Sequence, residues 1–240
     1  NSQNCDSAWV RITVSDTCIP GLCIWPGDAD GNGKANNKDV LAIGLGFNNI
    51  GPGRNNAGIT WTGQLGQNWP KKLQSENFKH IDANGDGVID KADTAAILLN
   101  YDSTTVNKIQ RSQAGAADPT LLIEFVTQGL SLGDTAVANL YLGTSSDPVE
   151  DLYGFAVTVG YDVTLLQPCC GKADYDSSWL AATDDYVEVQ KNRITQGELD
   201  LGFSRVDQQP KSGSGLIGQI QFKIIDNLDE KDQGTNDVTL

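Results

Sequence analysis

Methionine is absent from the 240 residues, and histidine occurs once, at His80. Without an initiator residue the chain reads as a processed form or a piece of something longer, with Asn1 a cleavage product. A single imidazole leaves little room for a hydrolytic triad or a Cys/His metal site. His80 also lies two residues before Asp82, where a structural role at a loop entrance fits better than general-base work. No phosphate-cradling glycine loop, dinucleotide fingerprint or Asn-x-Ser/Thr sequon occurs. Cations are scarce: 17 Lys and Arg stand against 31 Asp and Glu, a net charge of −14 that repels phosphate backbones and anionic lipid. No apolar run approaches the ~18–20 residues of a membrane-spanning helix. Nucleic-acid binding, membrane insertion and enzymatic activity are therefore not expected. Acidic pairs such as Asp184 with Asp185, or Glu150 with Asp151, fit a solvated face better than a glycosidase dyad in so acidic a chain.

Hydrophobic residues make up 39% and glycines number 26, a balance suited to turn-rich β structure and long enough for two modest domains. Residues 8–15 alternate, with Val10, Ile12 and Val14 on one side and Trp9, Arg11 and Thr13 on the other, which predicts an isolated strand. Residues 24–102 contain two aspartate-rich loops, each followed by a short apolar stretch of helical character at 40–43 and 95–99. Residues 103–119 are polar and read as a linker. From residue 120 to 240 strands are predicted at 121–126, 136–142, 153–161, 186–189, 199–203 and 216–225, separated by Gly, Asp and Ser turns. The fold class is thus mixed and multidomain: an N-terminal strand segment (1–23), a small α-type paired-loop module (24–102), a linker (103–119) and an antiparallel β-sandwich (120–240).

The loops carry the chemistry. Asp28, Asp30, Asn32, Asn36 and Asp39 occupy positions 1, 3, 5, 9 and 12 of the first, with Lys34 offering its carbonyl at position 7 and Gly33 at position 6 permitting the turn. Asp82, Asn84, Asp86, Asp90 and Asp93 repeat those positions in the second, with Val88 at position 7 and Gly87 at position 6. A hard cation takes six to eight oxygens, and alternate residues of a tight loop aim theirs inward. Two Ca²⁺ ions are expected. Position 12 is Asp rather than Glu in both loops, a shorter arm.

The paired Asp-x-Asp-Gly-Asn-Gly and Asp-x-Asn-Gly-Asp-Gly loops resemble a type I dockerin module over about residues 25–102. The opening Trp25-Pro26-Gly27-Asp28 and the long insert around Arg54-Asn55-Asn56-Ala57 and Ile59-Thr60-Trp61-Thr62 look like dockerin-like modules of secreted Bacteroidota proteins. Partner contacts in dockerins cluster at loop positions 10 and 11. Here those hold Asn37 and Lys38, then Lys91 and Ala92, two dissimilar pairs, so the resemblance carries over calcium binding and not partner recognition. Residues 120–240 resemble a cohesin-like jelly roll through 154–159, Ser178-Trp179-Leu180 and 215–222, which implies protein–protein contact rather than catalysis. Asp6-Ser7-Ala8, Asp93-Thr94-Ala95, Asp102-Ser103-Thr104 and Asp134-Thr135-Ala136 look like the short O-glycan acceptor used in Bacteroidota.

The last strand-like residues, 237–240, begin where the sequence ends, and residues 8–15 form a strand without a neighbour. Three placements stay open for 8–15: in the chain's own sandwich, in that of the next copy by strand addition, or as the end of a preceding domain. Addition to the next copy is head-to-tail and gives a filament. Cysteine usage suits an extracellular or cell-surface location. Cys18 and Cys23 bracket a Pro-Gly turn within disulfide reach, while Cys5 is available to Cys169 or Cys170 of a neighbour. The expected function is an extracellular, calcium-stabilised assembly subunit that self-associates through residues 8–15. The alternative is the attachment region of a larger secreted glycoside hydrolase or adhesin.

Overall fold

The computed structural model describes residues 23–105, 119–169, 173–181 and 185–226. The candidate strand 8–15, Cys5, Cys18, Cys170 and residues 237–240 lie outside the described residues.

Two antiparallel sheets form a sandwich. The first is ordered β3 (Leu121–Phe125), β4 (Thr135–Leu142), β11 (Gly215–Ile224) and β7 (Leu166–Pro168). The second is ordered β6 (Gly154–Gly160), β9 (Glu198–Arg205) and β8 (Tyr186–Arg193). Alternation sets the faces: Ala136, Ala138, Leu140 and Leu142 of β4 meet Leu199, Leu201 and Phe203 of β9 across a shared core. Phe203 anchors that core, stacked on Phe155 at 5.5 Å between ring centroids and tilted against Tyr175 at 5.0 Å.

Each strand expected between residues 121 and 225 appears within a residue or two at its start, but three further strands of this region do not stand out in the sequence. β5 (Val149–Leu152) and β10 (Lys211–Gly213) pair with each other, and β7 pairs with the far end of β11. They are three or four residues long and half polar, so they carry no periodic signal. β8 runs on through polar Gln190, Lys191, Asn192 and Arg193 because each of those residues is matched to a residue of β9.

The loop region builds short helices where the apolar stretches were: α1 (Asp39–Gly46) after the first loop, and a 3-10 turn (Lys91–Asp93) running into α3 (Thr94–Leu99) after the second. A hairpin of β1 (Lys72–Leu73) and β2 (Glu76–Asn77) leads into a single helical turn, α2 (Phe78–Ile81), just before the second loop. Asn77 caps that turn, its side chain accepting from the Lys79 N–H.

These helices do not form a closed bundle of their own. Val40, Ile43, Phe78, Ile81, Ile89 and Ile97 make one apolar cluster together with Val187 and Val189 of β8. Gly202 of β9 completes the fit: a Cβ there would stand 2.5 Å from the Asn37 carbonyl oxygen and 2.9 Å from a Val40 methyl. The β6–β9–β8 sheet therefore carries the sandwich core on one face and the loop region on the other, a three-layer order of sheet, sheet and helices.

Candidate metal centre

The two loops fold by the same set of backbone-to-carboxylate hydrogen bonds. At position 12, Asp39 accepts from the Asp30 N–H at 3.1 Å and the Asn36 N–H at 2.7 Å. Asp93 accepts from the Asn84 N–H at 3.0 Å and the Asp90 N–H at 2.8 Å, the same positions 3 and 9. At position 1, Asp28 accepts from the Gly33 N–H at 3.0 Å and Asp82 from the Gly87 N–H at 3.2 Å, both position 6. Three inward N–H groups thus orient each pair of terminal carboxylates, and the Gly85 N–H adds a fourth in the second loop, donating to Asp82 at 2.9 Å, because a buried backbone donor must find an acceptor.

The remaining candidates take local turns. Asn32 accepts from Lys34 N–H and Asn36 from Lys38 N–H; Asn84 accepts from Asp86 N–H, Asp86 from Val88 N–H and Asp90 from Ala92 N–H. Lys34 and Val88, at position 7, each form a single bridge to a second segment, Lys34 with Thr104 and Val88 with Ile50. Each loop is thereby clasped by a neighbour: residues 102–105 hold the first through Ala35 N–H to Ser103 O and Thr105 N–H to Gly33 O, and residues 49–54 hold the second through Gly51 N–H to Gly87 O and Arg54 N–H to Gly85 O.

Burial of these acids is electrostatically costly. Desolvation, with the Asp30 charge added, pushes Asp28 up to about 7, and Asp39, fully enclosed, is pushed well up by the same two causes in the same order. Asp93 is raised to about 7 by burial, and Asp82 is raised by burial against the opposing pull of the Arg54 guanidinium. Carboxylate oxygens of Asp28, Asp30 and Asp39 lie within 4.8 Å of one another. Among the described residues this is the group of three acidic, His or Cys side chains that converges so closely. That spacing and all-oxygen chemistry suit a hard divalent cation, which would relieve both the desolvation and the mutual repulsion.

His80, on α2, is held down to about 4 by burial, with the Lys79 and Arg54 charges adding to it. The imidazole is neutral at physiological pH, and its nearest carboxylate is Glu76 at 3.9 Å.

The contacts that sequence reasoning missed lie where the first loop meets the sandwich. Asn37, at loop position 10, donates both its side-chain N–H bonds to backbone carbonyls of the sheet, Val157 O and Leu201 O, each at 3.0 Å. Its own N–H donates to Tyr101 Oη. Tyr101 donates onward to Asp200 at 2.9 Å, and Asp200, fully buried on β9, also accepts from Thr158 Oγ1 at 2.5 Å and from Arg193 Nε and Nη2 at 2.8 and 2.6 Å. Arg193 faces Asp102, which pairs with Lys34 at 2.9 Å. The network therefore leaves the loop at Asn37 and returns to it at Lys34. Its one sequence signal is an acid set between Leu199 and Leu201 in the otherwise apolar run 199–203.

Of the glycan-acceptor candidates, Thr135 is exposed at the start of β4, and Thr94 donates its hydroxyl to Lys91 O at 2.8 Å. Ser103 is half-buried, and Ser7 lies outside the described residues.

No family model and no curated protein matches the sequence. Among solved structures, a type II cohesin from Bacteroides cellulosolvens is similar at 19% identity and a TM-score of 0.37, over 44% of this chain and 69% of that one. A type II cohesin domain from the cellulosome of Acetivibrio cellulolyticus is similar at 17% identity and a TM-score of 0.37, over 46% of this chain and 70% of that one. Among the described residues, no helix is long and apolar enough to cross a membrane.

Proposed function

We propose that the chain is a calcium-stabilised structural subunit of an extracellular or cell-surface assembly, whose task is mechanical and adhesive rather than catalytic. The observation that carries this reading is the matched hydrogen bonding of the two loops: positions 3, 6 and 9 donate to positions 1 and 12 in both. In the first loop Asp28, Asp30, Asn32, Asn36 and Asp39, with the Lys34 carbonyl, would hold one ion. In the second, Asp82, Asn84, Asp86, Asp90 and Asp93, with the Val88 carbonyl, would hold the other. The ions supply charge neutralisation and rigidity, and the Asn37–Tyr101–Asp200 contacts transmit that rigidity to the sandwich.

Assembly would proceed by head-to-tail strand addition from residues 8–15. In support, β3 is an end strand of its sheet among the described residues, and Leu122, Phe125 and Val126 on and beside it are exposed.

Thermal unfolding in calcium and in excess chelator tests the calcium reading. Each site is expected to contribute about 2.7 kcal/mol at a free calcium concentration one hundred times its Kd. An identical melting temperature in both conditions would overturn it. A protein that stays monomeric in calcium while binding a cohesin would favour the attachment region of a larger secreted protein instead.

A further inference from the structure

The two loops are nearly interchangeable in their backbones and differ in the charge placed against them. Gly31 and Gly85 are the fourth residues of the first and second loops, both with positive φ, +71° and +85°. Space for a side chain is filled at each. A Cβ on Gly31 would run into the Glu76 carboxylate, and a Cβ on Gly85 would stand 2.5 Å from Nε and Cζ of Arg54. Equivalent points of the two loops therefore face an anion in one case and a cation in the other.

Arg54 is built in. It is 7% exposed, and its guanidinium donates to Asp82 O at 2.6 Å, Ala83 O at 2.9 Å and Gln64 Oε1 at 2.8 Å, which ties it to the backbone of the second loop. Its charge acts on Asp82, Asp93 and Asp86. Glu76, half-buried on β2, acts on Asp28 and Asp30. The cations near the first loop are differently placed: Lys34 is paired with Asp102 at 2.9 Å, while Lys72 and Lys38 are exposed and Lys79 is half-exposed, so water and salt screen those three. A buried guanidinium is screened far less.

Counting the loops alone misleads. The first contains three carboxylates, Asp28, Asp30 and Asp39, and the second contains four, Asp82, Asp86, Asp90 and Asp93. Glu76 brings the first to four, and Arg54 brings the second to a net of three, which reverses the order.

We propose that the two loops are unequal calcium sites: the first, reinforced by Glu76, binds more tightly, and the second binds more weakly because Arg54 already occupies part of the electrostatic role of the ion. This rests on the calcium reading above. Arg54 keeps the second loop shaped when no ion is present, whereas the first loop depends on the ion for charge balance.

The test uses the full chain, stripped of metal and titrated with calcium at 0.15 M salt, while the amide resonances of Gly33 and Gly87 are followed separately by NMR. These N–H groups donate to the position-1 carboxylates Asp28 and Asp82, so each reports one loop. The Gly33 midpoint is expected at lower calcium than the Gly87 midpoint. Glu76→Gln, which keeps the shape and removes the charge, is expected to raise the Gly33 midpoint about three- to tenfold, the effect of one unit charge on a divalent ion across several ångströms of a water-like medium, and to leave the Gly87 midpoint in place. Coincident midpoints, or Gly87 responding first, would overturn the inequality while leaving calcium binding intact. A Glu76→Gln protein with both midpoints unmoved would remove Glu76 from the account. Silence of both amides up to millimolar calcium would instead sink the calcium reading itself, and the inequality with it.

Discussion

Tyr101 and Asp200 stand 99 positions apart in sequence and meet at 2.9 Å, the tyrosine hydroxyl donating to a carboxylate that is fully buried in the middle of a sheet. Asp200 is kept there by four donors from three residues, Tyr101, Thr158 and Arg193. Tyr101 is correspondingly held as the neutral phenol, pushed far above the ordinary tyrosine range by burial first and by the Asp200 charge second.

Removing one donor and removing the acceptor should differ. Tyr101→Phe leaves Asp200 with Thr158 and Arg193 and is expected to cost about 1–2 kcal/mol, while Asp200→Ala strands all four donors and is expected to cost about 3–5 kcal/mol. Urea unfolding of both variants measures this. Equal small losses would show that the network is peripheral to stability.

The calcium-free protein should lose stability as pH rises. Burial pushes the Asp28 and Asp93 carboxyls up to about 7 in the folded chain, against about 3.9 for an aspartate in an unfolded one. Between those limits the folded state holds protons that the unfolded state has released, so the contribution is complete below about pH 4 and is lost as pH climbs through about 7. Saturating calcium should reverse the trend, since the ion competes with those protons, and the gap between calcium and chelator melting temperatures should widen from pH 5 to pH 8. A gap that narrows over the same range would contradict the assignment of these carboxylates as ligands.

The contact between loop region and sandwich can be pried open at one residue. Gly202→Val puts methyl groups where the Asn37 carbonyl and Val40 lie, and overpacking of this kind costs about 1–3 kcal/mol. The Leu201 and Phe203 side of the strand is untouched, so the sandwich core should hold while Val187 and Val189 become exposed. A fluorescent apolar probe that binds the variant and not the parent, with the β-type circular dichroism kept, is the expected outcome.

Strand addition makes a prediction about the acceptor edge. Phe125→Arg places a charge on the exposed end strand β3, and charges on edge strands oppose pairing with another chain. The variant should remain monomeric by light scattering in calcium at concentrations where the parent assembles, with little change in melting temperature. Assembly of both to the same size would move the contact elsewhere.

Much of this was legible in the amino-acid pattern, and the exceptions have physical reasons. Position-by-position spacing marked two segments that fold as matching turns, because Asp and Asn side chains accept from nearby backbone N–H groups and glycine takes the positive φ the turns need. Alternation located β4, β6, β9 and β11, since each buries at least one face. The short strands β5, β7 and β10 were invisible because their pairing is imposed by neighbours rather than by their own residues. The polar half of β8 was cut short for the same reason. Arg54, Glu76, Asn37 and Tyr101 could not be assigned in advance, because their roles depend on which distant backbone each one meets. Asn37 is instructive: the residue at loop position 10 spends its side-chain amide on two carbonyls of the chain's own sheet, which no local spacing foretells.

β9 is hydrogen-bonded on both edges, to β6 and to β8, and covered on both faces, by the sandwich core and by the loop region. Its amides consequently have no path to solvent through local fraying. Deuterium uptake there should be the slowest in the molecule and should track the free energy of complete opening, which makes this one segment a gauge of how firmly all three layers are locked together.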